Sequence, residues 1–340
     1  MSLLPVLNER APNLWPQATP WLALAPMQDV TDLPFWKLLS AYGGPDLYFT
    51  EYFRVHAVSR LDKDILRGVT ENTTGTPVVA QIAGEDIPSL VRIARALQEY
   101  PVAAVDLNLG CPAPIVCRKN AGGGLLKNPA KVDAILGALR EAIKTRFTVK
   151  CRLGWESPDE FSALVEIFAK HNLDLVTVHG RTVRQMYGGQ VRYDLIGQAA
   201  ASLRCPVLVN GDLDTAEKAV AVLLQTGAAG VMIGRGAVRN PWIFNQIRQV
   251  LRGEKPSQPT GRQVGDFLKG LFDAVGPARI HPRAHIEKFK KYLNFIGPAL
   301  DAKGEFIFRA RRMAAEQEFH DLCAEFLSHD RPMPLTIAQG

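Results

Sequence analysis

The segment Asp106–Pro114, DLNLGCPAP, is an apolar run that ends in an asparagine, a glycine and a cysteine. Cys111 follows the run directly, whereas a cysteine that only fills space is better placed inside a strand. The thiol therefore has two interpretations. It is a small packing residue, or it is a weak acid whose ordinary pKa of ~8.5 keeps it protonated at neutral pH and still able to give up a proton.

Chemically able side chains recur at the ends of the other apolar runs. Each has a structural interpretation on its own, since a lone strand lysine is usually an edge residue and Asn-Gly is usually a turn. If the runs are parallel strands of one barrel, however, these groups converge on one rim. In chain order they are Ala25 to Met27, Glu51, Gln81, Asn108 with Cys111, Lys150 with Arg152, His179 with Arg181, Asn210 to Asp212, and Gly234 to Gly236.

Eight apolar runs would position these groups, and most are continuous rather than alternating, as is typical of parallel strands covered on both faces. Helical patterns lie between them. PSLVRIARALQEY places Leu90, Ile93, Ala94 and Leu97 on one face, and TAEKAVAVLLQTGA has Asp214 or Thr215 as its cap and ends at Gly227. The runs cover residues 21–27, 47–53, 77–84, 103–110, 147–154, 174–181, 206–212 and 230–237.

Eight strands alternating with helices over ~230 residues predict an α/β fold, a (β/α)8 TIM barrel. The alternative is an open doubly wound sheet, which usually carries GxGxxG after its first strand, whereas the first run here ends in APMQDV. The barrel is therefore favoured. The predicted domains are an N-terminal extension at 1–20, the catalytic barrel at 21–252, a linker at 253–262, a small helical domain at 263–329 and a loose tail at 330–340.

Composition predicts a cytoplasmic protein. No apolar run approaches the ~18–20 residues that span a bilayer, and the N-terminal segment lacks the apolar stretch of a signal peptide. The five cysteines are scattered without CxxC spacing, which argues against a disulfide framework or a zinc site and favours a reducing compartment. We expect no metal and no membrane partner, and a monomer.

Positive charge is concentrated near the C-terminus. Between Gly276 and Ala315 nine basic residues stand against three acidic ones, so this segment alone accounts for the net charge of +6. Two interpretations are open: a solvated helix face, or a surface that binds a polyanion such as RNA.

The last two runs end in NGD and IGRGAV, glycine-rich turns at which backbone amides can approach an anion and a following helix N-terminus favours negative charge. Arg235 adds a cation with a planar fork. A cofactor with one phosphate and a large planar ring fits this arrangement, and FMN is the natural candidate. Lys150 would then lie near the ring, and Gln81 and Asn210 would bond its polar edge or the ribityl chain.

The motifs LAPMQDVTD, FTEY, QIAG, DLNLGCP, GGGLL, VKCRLGW, VHGRT, VNGD and MIGRG occur in this order, and together they resemble those of the tRNA-dihydrouridine synthases. The resemblance covers about residues 21–250 and continues more weakly into the helical segment. Dihydroorotate and dihydropyrimidine dehydrogenases share the fold but match the set less well. The resemblance implies NADPH-driven, FMN-dependent reduction of the C5–C6 double bond of particular tRNA uridines, most of all in the D-loop region.

The resemblance also assigns roles. Cys111 would give a proton to C5 after a hydride reaches C6, which explains a thiol at a strand end. Asn108, Arg152 and Arg181 would face the uracil or its neighbours. The FMN would be lined by Pro26, Met27, Gln28, Gln81, Lys150, His179, Asn210, Gly211, Asp212, Gly234 and Arg235. Contacts to tRNA phosphates would come from Lys119, Lys288, Lys290, Lys291, Arg309, Arg311 and Arg312.

The segment APIVCRKNAGGG after the thiol is expected to be a long glycine-rich loop, either closing over the uracil or lying on the surface. Cys117 within it is expected to be passive. Two other functions stay open: a flavin barrel that reduces a free pyrimidine or another small enone, and a non-catalytic RNA-binding paralogue. The basic helical segment argues against the first, and Cys111, Lys150 and His179 argue against the second.

Overall fold

The computed structural model of the chain describes residues 20–276 and 281–337. Within these ranges nine parallel strands form one sheet in the order β1-β9-β8-β7-β6-β5-β4-β2, with β3 also paired to β4. Leu24 N donates to Leu47 O at 3.0 Å, which brings the first and last strands of this order together. The strands are β1 (Trp21–Leu24), β2 (Tyr48–Phe49), β3 (Phe53–Arg54), β4 (Val78–Ala83), β5 (Ala104–Leu109), β6 (Arg146–Arg152), β7 (Leu175–His179), β8 (Val207–Asn210) and β9 (Gly230–Ile233).

This nearly closed parallel barrel with alternating helices confirms the predicted (β/α)8 TIM barrel. Two strand predictions need correction. The run 47–53 is divided into β2 and β3, because the hydroxyl oxygen of Thr50 accepts the Gln81 amide at 3.0 Å where a strand would offer a backbone carbonyl. The run 230–237 stops at Ile233, because Gly234 leaves the strand conformation at φ −106° and ψ −96° and a helix follows.

The helices fall largely where the periodicity predicts them. They are α1 (Leu33–Ser40), α2 (Lys63–Thr70), α3 (Ile87–Leu97), α4 (Pro114–Cys117), α5 (Pro129–Ala142), α6 (Phe161–Lys170), α7 (Tyr193–Ser202), α8 (Ala216–Thr226), α9 (Arg235–Arg239), α10 (Ile243–Leu251), α11 (Gly261–Val275), α12 (Pro282–Ile296), α13 (Glu305–Ala310) and α14 (Glu316–Leu327). Short 3₁₀ helices cover Gly122–Lys127, Pro158–Glu160 and Gly297–Ala299.

Local signals explain the helix ends. Thr215 Oγ1 accepts the Lys218 amide at 3.1 Å at the start of α8, and Gly227 follows the helix at φ +62°. The predicted apolar face of α3 is buried, with Leu90, Ile93, Ala94 and Leu97 at most 2% exposed. Within the predicted helical domain at 263–329, the chain is not helical at residues 311–315, where it turns and buries Met313.

The chain divides into two compact units. The first comprises all the strands and has, in the described part, residues 20–28, 45–212 and 221–233. An apolar cluster fills the amino-terminal part of its barrel, including Trp21, Ala104 and Leu175 at the first positions of their strands. This leaves the carboxyl ends of the strands for polar groups.

The second unit comprises residues 29–44, 213–220, 234–276 and 281–337 of the described chain and is helical. Phe272 is central to its core and contacts the rings of Phe289 and Phe319, each at 5.1 Å between ring centres. The expected tail is not loose over its described part. Met333 and Leu335 are buried, and Met333 N donates to Pro259 O at 2.8 Å.

The N-terminal extension was predicted at residues 1–20. Of these, residues 1–19 lie outside the described residues, and only Pro20 is described. The predicted domain boundaries stay a prediction. Among the described helices, none combines the length and the apolarity needed to cross a membrane. Groups of three or more His, Cys, Asp or Glu side chains suited to a metal ion do not occur within residues 20–276 and 281–337. All five cysteines are free thiols.

Candidate active site

The interior of the barrel changes from apolar to polar toward the carboxyl ends of the strands. Strand register aligns Gln81 with Asp106, Asp106 with Thr148, and Asn108 with Lys150. It also aligns Lys150 with Thr177 and His179 with Asn210. These side chains therefore occupy one region across β4 to β8, and all are buried except Lys150, which is partly exposed.

A directional chain of hydrogen bonds links three of them. Asn108 Nδ2 donates to Gln81 Oε1 at 2.7 Å, and Gln81 Nε2 donates in turn to Asp106 Oδ2 at 2.7 Å. The other carboxylate oxygen, Oδ1, accepts from the Thr148 hydroxyl at 2.6 Å. Complete burial raises the pKa of Asp106 to about 6, although both hydrogen bonds and Lys150 act against the rise.

Lys150 projects into the same interior. Its Nζ donates to Asn210 Oδ1 at 3.3 Å, and because β7 separates their strands, the contact crosses the inside of the barrel. Asn210 Nδ2 is held by Met232 O at 2.7 Å. Burial, followed by the charge of Arg152, lowers the pKa of Lys150 to about 8. The ammonium group is therefore mostly charged at neutral pH and readily deprotonated above it.

The backbone around Cys111 is fixed by Asn108. Its Oδ1 accepts from Gly110 N at 3.0 Å and from Cys111 N at 2.9 Å, so the asparagine side chain closes the turn that follows β5. Gly123 N donates to Cys111 O at 3.0 Å from the other side. The thiol is partly exposed at this end of the strand. The structure thus brings Asn108 and Cys111 together, three residues apart and directly coupled.

The segment after the thiol is more ordered than the expected loop. It forms α4 and the 3₁₀ helix Gly122–Lys127, whose glycines are buried. A Cβ at Gly123 would lie 2.9 Å from Cys111 O and 2.7 Å from a methyl group of Val183. The glycines therefore allow close packing rather than a long excursion. The expected passive thiol of Cys117 is buried, and its Sγ donates to Cys111 O at 3.4 Å.

Arg152, predicted to face the uracil, is 3% exposed and is bound by backbone carbonyls. Its Nε donates to Gly110 O at 3.0 Å, and its Nη1 donates to Thr182 O at 2.8 Å and to Met186 O at 2.7 Å. The guanidinium thus connects the turn before Cys111 with the segment after β7. Its predicted contact with substrate stays a prediction.

Arg181 and Asp212, assigned to the uracil and to FMN respectively, form an ion pair with each other. Arg181 Nη1 donates to Asp212 Oδ1 at 3.0 Å, and Nη2 binds the second carboxylate oxygen. Nε and Nη2 also donate to Gly189 O at 3.0 and 2.7 Å. Gly211, before Asp212, has φ +124°, and a Cβ there would lie 3.1 Å from Val191, so this turn needs glycine.

The other predicted cofactor residues lie at strand ends. Pro26 and Met27 are partly buried and Gln28 is exposed after β1, while His179 is the last residue of β7. Gly234 and Arg235 are in the second unit, where Arg235 is the first residue of α9. Their assignment to a cofactor stays a prediction.

The predicted phosphate-binding cations differ in their partners. Lys288 pairs with Asp32 at 3.1 Å and Lys291 with Asp29 at 3.2 Å. Lys290 pairs with Glu287 at 2.9 Å, and Arg309 with Glu325 at 2.8 Å. Arg311 donates instead to the amide oxygen of Asn294 at 2.9 Å, and Arg312 lies 3.5 Å from the centre of the Phe308 ring. Lys119 is exposed beside α4.

Three residues of the site were not identified from the sequence. Asp106 and Thr148 form the inner end of the hydrogen-bond chain. Asp106 could have been noticed in the sequence, because it is a single charged residue inside an apolar run. Tyr52, beside Cys111, lies in a run assigned to a strand and had no distinguishing signal.

A parallel barrel with an ammonium group, amides and a thiol at the carboxyl ends of its strands defines a (β/α)8-barrel enzyme. Comparison with known proteins is more specific. The family model described as dihydrouridine synthase matches residues 23–320, and the chain belongs to this family. The family comprises flavin-dependent oxidoreductases that act on the carbon–carbon double bond of uridine, which confirms the resemblance seen in the motifs.

Three similar proteins are each named tRNA-dihydrouridine synthase B. That of Pseudomonas putida is 38% identical over 249 residues, which cover 73% of this chain and 74% of the relative. That of Yersinia pestis is 36% identical over 270 residues, covering 77% and 84%. That of Vibrio cholerae is 37% identical over 258 residues, covering 75% and 79%.

Proposed function

We propose that this chain is a tRNA-dihydrouridine synthase that uses FMN and takes its electrons from NADPH. The observation that best supports the proposal is the direct coupling of Cys111 to Asn108, at the end of the strand next to the one that carries Lys150. This arrangement presents a proton donor beside buried groups suited to a polar planar ligand.

The donor set fits FMN. Among the described residues, Lys150 Nζ has one hydrogen bond, to Asn210, so two of its N–H groups remain for a ligand. Thr177 Oγ1, aligned with Lys150, is buried without a hydrogen-bond partner in that part of the chain. An ammonium group and a hydroxyl suit the carbonyls and ring nitrogens of an isoalloxazine. Lys150, Asn210, Gln81 and Asn108 would hold the cofactor.

When bound, FMN supplies the hydride that the reduction needs. Cys111 then delivers the proton to C5 of the uracil, because a thiol is a weak acid that can serve as a general acid. Asn108 keeps the thiol at the mouth of the barrel through the backbone of residue 111. Lys150, largely charged at neutral pH, favours negative charge in the mouth.

The proposed substrate is a uridine of the tRNA D-loop region. A base in folded tRNA has to leave its stack to enter a barrel mouth, which costs a few kcal/mol and least at an unpaired position. Phosphate contacts supply the compensating affinity. Arg311 and Arg312 are the best candidates, since neither pairs with a carboxylate among the described residues, and Lys119 is exposed beside the segment after the thiol.

The test is to incubate the purified protein with NADPH and tRNA isolated from cells that lack dihydrouridine. Nucleoside and fragment mass spectrometry then maps any product. The proposal expects one uridine to gain two hydrogen atoms, at a position that the fragments identify. Yellow protein that oxidises NADPH but leaves every uridine unchanged would instead indicate a flavin reductase of a free pyrimidine or another small enone.

A further inference from the structure

Asp106 lies inside the barrel and has no role in the mechanism above. Ala104, Asp106 and Asn108 are alternate residues of β5 and face the same side, so the carboxylate lies one layer deeper than Asn108. It is fully buried, and its Oδ2 accepts from Gln81 Nε2 at 2.7 Å while its Oδ1 accepts from the Thr148 hydroxyl at 2.6 Å. Burying a carboxylate is costly, so its presence at this depth needs a reason.

The direction of the hydrogen bonds can be derived from their outer end. Backbone amides only donate, so the Asn108 side-chain atom that meets Gly110 N at 3.0 Å and Cys111 N at 2.9 Å must be the oxygen. The Asn108 nitrogen therefore points to Gln81, which meets it with its own oxygen at 2.7 Å. The nitrogen of Gln81 is then left to donate inward, toward Asp106.

An acceptor at the inner end makes this orientation unique. The oxygen and nitrogen of an amide have nearly the same shape, so a Gln81 side chain without an inner partner can turn over and present its nitrogen to the Asn108 nitrogen. A carboxylate offers acceptors only, and it therefore permits one orientation of Gln81. Burial raises the pKa of Asp106 to about 6, which leaves the group mostly ionised at neutral pH.

We propose that Asp106 is a positioning residue: it fixes the amide of Gln81, and through Gln81 and Asn108 the turn that carries Cys111. The inference rests on the proposed function, since it assigns Asp106 to the placement of the proposed acid. Asp106 and Gln81 are 0% exposed and Asn108 is 6% exposed, so solvent has little access to replace a lost partner.

Three substitutions separate this role from the filling of space. In Asp106→Asn the new amide accepts from Gln81 with its oxygen and donates to the Thr148 oxygen, which can also accept, so the orientation is retained. In Asp106→Leu a side chain of similar branching supplies no acceptor. Thr148→Val keeps the shape of its side chain and removes only the hydroxyl that donates to Asp106.

The experiment is hydrogen–deuterium exchange of the purified holoenzyme, followed by peptide mass spectrometry. The amides of Gly110 and Cys111 report directly on their hydrogen bonds to Asn108. Asp106→Leu should speed their exchange about fivefold, the effect of losing one hydrogen bond, while the amides of β9 exchange as in the wild type. Asp106→Asn should match the wild type, and Thr148→Val should speed exchange about twofold.

Asp174→Leu is the matched control, because Asp174 Oδ2 accepts the amide of Phe147 at 2.8 Å near the amino-terminal end of β6. It should speed exchange at Phe147 and leave the amides of Gly110 and Cys111 unchanged. A second comparison uses the Asn108→Ala background. Adding Asp106→Leu to it should not speed exchange at these two amides further, because both substitutions interrupt the same path.

Acceleration in Asp106→Asn equal to that in Asp106→Leu would overturn the inference, as would the wild-type rate in both Asp106→Leu and Thr148→Val. Should Asp106→Leu fail to fold, Thr148→Val decides alone. Exchange does not depend on turnover. Wild-type enzyme that reduces no uridine would therefore refute the proposed function, whereas the exchange comparison would still decide the role of Asp106.

Discussion

The side-chain oxygen of Asn108 accepts the backbone amide of Cys111 at 2.9 Å, while the nitrogen of the same side chain donates to Gln81 at 2.7 Å. One amide therefore joins the turn that carries the thiol to the polar interior of the barrel. A change in the polar interior should therefore alter the position of the thiol, although Gln81 and Cys111 are thirty residues apart in the chain.

Asn108→Ala is expected to lower both stability and activity. It removes the acceptor for two backbone amides and leaves Gln81 Oε1 without its donor, which should reduce the free energy of unfolding by about 1–3 kcal/mol. Uridine reduction should fall more steeply, by at least ~10-fold, because the thiol loses its position. Denaturant unfolding and product mass spectrometry measure the two effects.

The matched control is Asn128→Ala, because Asn128 Oδ1 also accepts a backbone amide, that of Lys131 at 3.0 Å, at the start of α5. It should cost about 1 kcal/mol of stability and leave the reaction rate unchanged. Equal losses of activity in the two variants would contradict the positioning role of Asn108.

Cys111→Ala is expected to abolish or severely slow uridine reduction and to leave the reduction of bound flavin by NADPH intact, because only the proton donor is lost. Stopped-flow absorbance follows the flavin and mass spectrometry follows the tRNA. Cys117→Ala, which removes a thiol outside the proposed proton path, is the control. Product formation by Cys111→Ala at the wild-type rate would show that another group is the acid.

The stability of the protein should depend on pH through Lys150. Its pKa is lowered to about 8 from 10.5, so between these values the unfolded chain binds more protons at this site than the native protein does. The cost in stability of holding a charged Lys150 in the native protein has its full value below pH 8. It decreases as the pH rises toward 10.5, where the lysine is neutral in both states. The free energy of unfolding of the wild type, relative to Lys150→Met, should therefore rise across this window. A difference that stays constant would refute the lowered pKa.

The double variant Arg311→Ala/Arg312→Ala is expected to raise KM for tRNA and leave kcat nearly unchanged. Each lost phosphate contact should also reduce the slope of log affinity against log salt by about one. Arg262→Ala is the control, since this exposed arginine of the same unit pairs with Asp330. An unchanged salt slope in the double variant would remove these arginines from the tRNA surface.

Much of the architecture could be predicted from the sequence, because it depends on local periodicity. The continuous apolar runs predicted parallel strands, and the apolar spacing of α3 predicted its buried face, Leu90 to Leu97. The division of the second run could not be predicted, because it depends on a hydrogen bond from the Gln81 amide to Thr50, thirty-one residues away.

The charge distribution shows a second limit. Counted along the chain, the segment from residue 276 to 315 has a net charge of +6. In the folded unit, however, Asp29 and Asp32 pair with Lys291 and Lys288 across about 260 residues. Partners that distant in sequence leave no local pattern, so the cations that lack a carboxylate partner within the described residues could be identified only from the structure.

Arg152 and Arg181 hold the segment from Thr182 to Gly189 entirely through its main-chain carbonyls in the contacts described above. Every residue type offers the same carbonyl, so these contacts do not depend on the side chains at residues 182, 186 and 189, although Thr182 and Gln185 also bond to the segment's backbone through their side chains. Met186 and Tyr187 project from it into solvent. The exposed side chains of the segment can therefore vary while the contacts that fix the path of the backbone are inherited unchanged.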